Sequence, residues 1–153
     1  MAEVTVATWN MQGEAKPKRL DLLHEVAPDV LLRQEVKVTT WPTLLASVDW
    51  SRAFGLDLRP RQAGAGGKQA LGAAILVRSP GVLTQAAVVE QEGFIWPERS
   101  VTGLWSPPGN TQQMRLVAYH ALHGGHGVIK PQTSQALGLW LGNQSGPVLA
   151  GMA

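Results

Sequence analysis

Four polar residues flank apolar stretches that have the character of β-strands. Asn10 follows VTVATW, Glu35 follows VLLRQ, His120 follows RLVAY, and Arg99 opens SVTGLW. A carboxylate at the end of a strand is costly to bury unless it is paired or bound to a metal. These residue types at strand ends are therefore candidates for binding a cation and a phosphate.

Glu35 is the sharpest of these candidates, because it follows its apolar strand directly. Its carboxylate is a hard oxygen ligand, and Asn10 would add a neutral amide. That pair suits Mg²⁺, which takes few protein ligands and keeps several waters. Two alternatives stay open: a salt bridge from Glu35 to Lys37 or Arg33, and a turn-capping role for Asn10.

His120 and Arg99 are candidates for contacting the phosphate itself. A histidine at a strand end could donate a proton or a hydrogen bond to phosphate. The planar guanidinium of Arg99 could clamp phosphate oxygens. The alternatives are an ordinary hydrogen-bonded histidine at the edge of the core, and a surface pair of Arg99 with Glu98 or Glu92.

Two other patterns favour flexible loops over sites. His123 and His126 have a spacing that could suggest a transition metal, but neither a cysteine nor an obvious carboxylate completes the set. The stretch GAGGK at residues 64–68 is not a phosphate-binding Walker loop. It lacks the first glycine at the required spacing, and Gln69 stands where Ser or Thr should bind Mg²⁺.

The opening segment predicts how Asn10 and Glu35 could meet. Alternating β-branched residues at 4–9 predict a strand, and residues 30–35 predict a second one. Between them, residues 17–27 predict a helix with Pro17 in its first turn and one apolar face. A β-α-β unit with short links is right-handed and its strands are parallel, so both strands end at one sheet edge.

The remainder of the chain predicts further strands and two helices in one mixed α/β domain. We expect a short helix at 41–48, a helix at 130–141, loops at 62–69 and 121–128, and strands at 53–58, 71–78, 82–89, 100–105, 114–119 and 147–150. Turns between the later short strands indicate antiparallel pairing. Only the first connection is a clear crossover.

Composition is that of a globular protein. Of the 153 residues, 44% are hydrophobic and 16% are charged, and the formal net charge is +2. No run reaches the roughly 18 apolar residues that a membrane span requires. The first residues have no basic region typical of a secretory signal, which predicts a cytoplasmic protein. The absence of cysteine excludes disulfides and thiolate metal sites. The mild positive charge is compatible with an anionic substrate.

Four motifs together resemble the endonuclease/exonuclease/phosphatase superfamily, which has the deoxyribonuclease I-like fold. They are TWNMQG at 8–13, DVLLRQE at 29–35, GAAIL at 72–76 and VAYH at 117–120. The sequence WNMQG also resembles the toxin-nuclease branch of the superfamily, the cytolethal distending toxins. The four motifs occur in the family's order.

The resemblance implies an α/β (α+β) sandwich of two packed sheets flanked by helices, with the site at one rim. It implies metal-dependent hydrolysis of phosphodiester or phosphomonoester bonds, with Mg²⁺ or Mn²⁺ as cofactor and a phosphate ester, including nucleic acid, as substrate. By position, Glu35 and Asn10 would hold the metal, and Asn10 would also support the scissile phosphate. His120 would hydrogen-bond the phosphate or assist the leaving group, and Arg99 would contact phosphate.

The chain also departs from the family pattern. After PVLAGM at 147–152 the family continues with Asp-x-Asn, and later has an Asp-His pair that supplies the general base; neither is present here. Residues 1–153 therefore resemble one partial domain, and we expect impaired catalysis. The alternative is an inactive remnant or binding module of the same fold. An uncovered sheet face would then favour self-association, and a dimer that completes the site is a third hypothesis.

Arg33 is a smaller departure, because the family usually has an apolar residue at this point of the strand. Regular pleating would place Arg33 on the same face as Glu35.

Overall fold

The computed structural model describes residues 3–10, 17–55, 71–94, 99–121 and 129–152, without the side chains of 38, 52–55, 71 and 129–130. The elements are β1 (Val6–Asn10), α1 (Pro17–Val26), β2 (Val30–Lys37), a 3-10 turn (Val38–Thr40), α2 (Trp41–Leu45), β3 (Trp50–Gly55), β4 (Leu71–Arg78), β5 (Val82–Val88), β6 (Ser100–Ser106), β7 (Met114–Tyr119), α3 (Ile129–Gly142) and β8 (Val148–Met152).

The strands form two mixed sheets of four, with orders β1-β2-β4-β3 and β5-β6-β7-β8. β1 pairs in parallel with β2, and β7 pairs in parallel with β8. The other neighbours are antiparallel. The predicted mixed α/β class and the parallel pairing of the first two strands are confirmed. The register runs from Val6 opposite Val30 to Asn10 opposite Gln34.

Alternation along the strands creates three apolar layers. In β2, Val30 and Leu32 face the other sheet, whereas Leu31 faces outward and packs with Leu23 of α1. The second sheet packs its outer face against α3 through residues that include Leu137. The order from one side to the other is helix, sheet, sheet, helix, as the resemblance implied. No helix among the described residues is long and apolar enough to cross a bilayer.

Most predicted elements are present, with shifted ends. α1 stops at Val26 because Ala27 adopts a positive φ of 41° and donates its N–H back to the Leu23 carbonyl, which ends the helix before Pro28. The strand predicted at 53–58 begins earlier, at Trp50, and residues 56–58 lie outside the described part. The loop predicted at 62–69, residues 122–128 of the second loop and the GAGGK stretch also lie outside it.

Two connections differ from the sequence prediction. The connection through α3 is a second crossover, because β7 and β8 are parallel. The turn at 79–81 was expected to join two antiparallel partners, but β4 and β5 belong to different sheets. Both hydrogen-bonding edges of β4 are occupied, by β2 and by β3, so β5 has no edge of β4 to pair with. The turn instead carries the chain across the sandwich. It does so at Gly81, where a Cβ would lie 2.8 Å from Trp105 Nε1.

β1 and β8 are edge strands at the same side of the sandwich. A Cβ on Gly151 of β8 would lie 2.7 Å from Thr8 Oγ1 of β1, so the two edges are in direct contact. Val6 and Met152 are exposed along them, at 38% and 58%. Among the described residues, the exposed apolar side chains on this side of the sandwich lie along these two edge strands. The expectation of one wholly uncovered sheet face is not met, because both sheets bury their inner faces and helices pack on both outer faces.

Candidate functional site

A β-bulge near the end of β2 determines where Glu35 lies. The pairing of β2 with β4 shifts between Arg33 and Val36, and Glu35 has a positive φ of 53°. A bulge inserts one residue and can turn a side chain to the other face of the sheet. Arg33 and Val36 both face outward, towards α1, whereas Glu35 approaches His120 of the second sheet. The expectation that Arg33 and Glu35 share a face is therefore wrong, because it assumed regular pleating.

Three of the predicted residues meet at one carboxylate oxygen. Asn10 Nδ2 donates a hydrogen bond to Glu35 Oε1 at 3.2 Å. His120 Nε2 lies 3.6 Å from the same oxygen, which is an ion-pair distance for a protonated imidazole. The side chains of His120 and Glu35 are 8% and 14% exposed. Residues 25 and 110 positions from Asn10 are thus brought together, by strands of both sheets.

The alternatives for Glu35 are not realised. No described contact joins its carboxylate to Lys37 or to Arg33, and all three guanidinium nitrogens of Arg33 are buried without a hydrogen-bond partner among the described residues. The carboxylate is instead oriented by an amide and an imidazole. The Glu35 side chain is 14% exposed, so the carboxylate is partly accessible to solvent.

Gln34 supports the site from behind, a role that sequence reasoning missed. Its side chain is fully buried between the sheets, and Nε2 donates to the Gly151 carbonyl oxygen at 3.1 Å. The same nitrogen lies 3.4 Å from Thr8 Oγ1. One side chain therefore joins β2 to both edge strands beside Glu35. The sequence signal for this role was an amide side chain at a strand position that alternation places on the face towards the other sheet.

Arg99 lies beside His120 across the β6–β7 ladder. The His120 backbone N–H donates to the Arg99 carbonyl at 2.9 Å, and the Arg99 guanidinium donates to the Ala121 carbonyl at 3.4 Å. Burial raises the pKa of the neighbouring Tyr119 hydroxyl, although the charge of Arg99 and a hydrogen bond with Ser134 act in the opposite direction. Of the two acids proposed as surface partners of Arg99, Glu98 lies outside the described residues.

The chemistry of the donors at the rim fits magnesium. Glu35 supplies an anionic oxygen and Asn10 a neutral amide, and Mg²⁺ is commonly held by one or two carboxylates with water and phosphate completing its shell. In the described ranges, no group of three or more His, Cys, Asp or Glu side chains is arranged to hold a metal ion. His123 and His126 lie outside those ranges.

Comparison with known proteins gives a family and a fold. A family model described as the Endonuclease/Exonuclease/phosphatase family matches residues 7–142. No curated protein sequence is similar enough to count as a match. Among solved structures, humanized D. rerio TDP2 is similar with a TM-score of 0.71 and 13% identity, over 96% of this chain and 59% of that one.

Two further structures have the same fold. The human Nocturnin catalytic domain has a TM-score of 0.65 and 16% identity, over 96% of this chain and 62% of that one. A Beutenbergia cavernae endonuclease/exonuclease/phosphatase has a TM-score of 0.62 and 19% identity, over 93% of this chain and 44% of that one.

The chain thus spans between 44% and 62% of the length of these three structures. The family model matches most of this chain, from the second residue of β1 to the end of α3. It includes Asn10, Glu35, Arg99 and His120, the four residues singled out from the sequence. The chain therefore belongs to the endonuclease/exonuclease/phosphatase family.

Proposed function

We propose that this chain carries the metal-binding half of a phosphoesterase that hydrolyses phosphodiester or phosphomonoester bonds with Mg²⁺ or Mn²⁺. The observation that carries the proposal is the convergence on Glu35 Oε1 of Asn10 Nδ2 at 3.2 Å and His120 Nε2 at 3.6 Å. An amide, a carboxylate and an imidazole from three separate strands have no evident packing reason to meet at a rim. Family membership supports the same chemistry.

Each residue has a distinct role in this proposal. Glu35 is the anionic metal ligand, and Asn10 orients its carboxylate and supports the metal or the scissile phosphate. When bound, the ion neutralises charge that develops on the phosphate oxygens. His120 donates a hydrogen bond to a phosphate oxygen or assists the leaving group. Arg99, directly before β6 and bonded through its carbonyl to the His120 backbone N–H, contributes a positive group for the phosphate.

The proposed substrate class is a phosphate ester, with nucleic acid included. The Nocturnin structure was determined with a bound sulfate anion, a tetrahedral oxyanion of the same shape as phosphate. The net charge of +2 is compatible with an anionic substrate, although the sequence has no dense basic stripe typical of a dedicated nucleic-acid binder. Both diester and monoester substrates therefore belong in the first assay.

The test separates metal binding from turnover. Mn²⁺ is titrated into the purified chain by calorimetry, and hydrolysis of bis(p-nitrophenyl) phosphate, p-nitrophenyl phosphate and a plasmid is followed with Mg²⁺, Mn²⁺ or EDTA. We expect saturable Mn²⁺ binding that is lost in Glu35→Gln. We also expect slow metal-dependent turnover, in line with the impaired catalysis that the sequence predicts, and a further fall of about 10²-fold or more in His120→Gln. The matched control is Gln113→Glu, an exposed position that bonds Ser106 far from the rim.

Two outcomes would count against the proposal. Mn²⁺ binding that is equal in the parent chain and in Glu35→Gln would show that the carboxylate is not a ligand. Mn²⁺ binding without turnover of any of the three substrates would support the alternative, an inactive binding module of the same fold.

A further inference from the structure

A stacked pair lies directly behind the proposed metal ligands. The guanidinium carbon of Arg33 is 3.6 Å from the centroid of the Trp9 ring, a close cation–π distance. Trp9 and Arg33 are partners in the parallel register of β1 and β2. Trp9 immediately precedes Asn10, the last residue of β1, and Arg33 lies two residues before Glu35, at the start of the bulge in β2.

The environment of Arg33 is unusual for a charged side chain. The residue is 0% exposed, and its Nε and both terminal nitrogens have no hydrogen-bond partner among the described residues. Burial, with repulsion from Arg19, lowers the pKa of Arg33 to about 9, so the group stays charged near neutral pH. A buried charge without an ionic partner destabilises a fold, and an apolar residue would fill this position more favourably. Trp9 is the one described group that engages the guanidinium.

Backbone pairing within the sheet secures the two strand ends only in part. β1 is an edge strand, so its end is hydrogen-bonded to β2 alone. The end of β2 is interrupted on its other side by the bulge, where Gln34 and Glu35 have no partner in the ladder with β4. Small shifts of either end would lengthen the 3.2 Å hydrogen bond between the Asn10 amide and the Glu35 carboxylate.

We propose that Arg33 and Trp9 are positioning residues, whose stack, one register pair before the end of the β1–β2 ladder, holds Asn10 Nδ2 against Glu35 Oε1. The inference rests on the proposed function, because it states that the stack positions the residues proposed to bind the metal. It does not need the metal for its test. The pair acts from the outer face, whereas the ligands lie on the face towards the second sheet.

The direct readout is the side-chain amide of Asn10. In metal-free protein labelled with ¹⁵N, the Nδ2 protons are assigned by their absence in Asn10→Ala, and their exchange with water is measured. We expect one slowly exchanging proton in the parent chain. Arg33→Leu and Trp9→Leu should each speed its exchange about tenfold, whereas Trp9→Phe, which keeps an aromatic face, should not.

A double-variant cycle separates the stack from general packing. If the two residues act as one unit, Arg33→Leu combined with Trp9→Leu should change the exchange rate no more than either alone. The matched control is Leu31→Val, two residues earlier on the same strand and facing the same way, also 0% exposed. It should lower the melting temperature without changing the Asn10 exchange rate, and Arg33→Leu should not lower the melting temperature.

Metal affinity provides the second arm. Arg33→Leu should weaken Mn²⁺ binding by about 10- to 100-fold, the range seen when residues that orient a ligand are replaced. Parent-like exchange in Arg33→Leu, additive effects in the double variant, or an equal effect of Leu31→Val would overturn the inference. If the parent chain binds no Mn²⁺ but the exchange pattern holds, the proposed function fails and the positioning role stands.

Discussion

Gln34 in β2 donates a hydrogen bond to the Gly151 carbonyl in β8, and its Nε2 lies 3.1 Å from that oxygen. This bond joins the two sheets through one side chain that is 0% exposed. It lies one residue before Glu35, on the side from which His120 approaches. The spacing of the sheets at the candidate site is thus set partly by a polar contact within an otherwise apolar interface.

Replacing Gln34 with Leu should destabilise the fold by about 1–3 kcal/mol, because the Gly151 carbonyl would lose its buried donor. The measurement is urea unfolding followed by tryptophan fluorescence. Gln113→Leu is the control, since Gln113 bonds Ser106 at an exposed position, and its effect should stay within about 0.5 kcal/mol. Equal losses in the two variants would contradict a bridging role for Gln34.

Gly151→Ala should destabilise the fold by about 1–3 kcal/mol through overpacking. The added Cβ would lie 2.7 Å from Thr8 Oγ1 and 2.9 Å from the Leu32 Cβ, both too close for contact. Gly138→Ala in α3 is the control of opposite sign. Its Cβ would meet nothing within 4 Å, and alanine favours a helix by about 1 kcal/mol, so the melting temperature should rise. A parent-like melting temperature for Gly151→Ala would show that β8 can move away.

Glu35→Gly and Glu35→Ala should both abolish metal binding but differ in stability. The positive φ of 53° at Glu35 lies in the left-handed region, which costs a residue with a Cβ about 1 kcal/mol or more and costs glycine little. The glycine variant should therefore be the more stable of the two by about 1 kcal/mol in urea unfolding. If alanine is equally stable, the bulge relaxes when the carboxylate is removed.

The Asp29–Arg78 pair should make stability fall in acid. Burial alone would raise the pKa of the Asp29 carboxyl, but hydrogen bonds from the Thr5 N–H and Arg78, and the Arg78 charge, together lower it. The folded state thus favours the carboxylate. Its contribution is present above the unfolded pKa of about 4 and is lost as the pH falls through the lower folded value.

The two side chains of this pair are 24% and 35% exposed, so the contribution is expected to be below about 1 kcal/mol. Asp29→Asn should lower the unfolding free energy at pH 7 and flatten its dependence on pH. Combining it with Arg78→Met at pH 7 and pH 3 gives the coupling at each pH. A coupling that is unchanged at pH 3 would mean that the carboxylate charge is not its source.

The sequence was sufficient to predict the parts that follow from regular alternation. The strands at 4–9 and 30–35, with a helix between them that begins at Pro17, predicted a parallel pair ending at one edge, and Asn10 does contact Glu35. Periodicity works here because each element buries one face against a neighbouring layer. The same argument located His120 at the end of β7.

Regular alternation could not predict the bulge in β2 or the passage of the chain from one sheet to the other. The bulge at 34–35 contains no glycine from which it could be predicted. At the bulge, Glu35 faces the second sheet and Val36 faces the outer layer of the core, so the regular alternation is broken. The passage from β4 to β5 has the sequence of an ordinary turn. The strand that β5 pairs with depends on which strand edges are already paired, and those edges are occupied by strands distant in sequence.

The bulge also limits which length changes β2 can accept. Removing one residue between Arg33 and Val36 would restore an even ladder with β4 and leave Val36 facing outward, but only one inward position would remain for Gln34 and Glu35, so either the Gln34 bridge or the Glu35 carboxylate would be lost. Adding one residue would instead drive Val36 into the gap between the sheets. Changes of length are better tolerated in connecting loops, so in this segment the number of residues is as important as their identity.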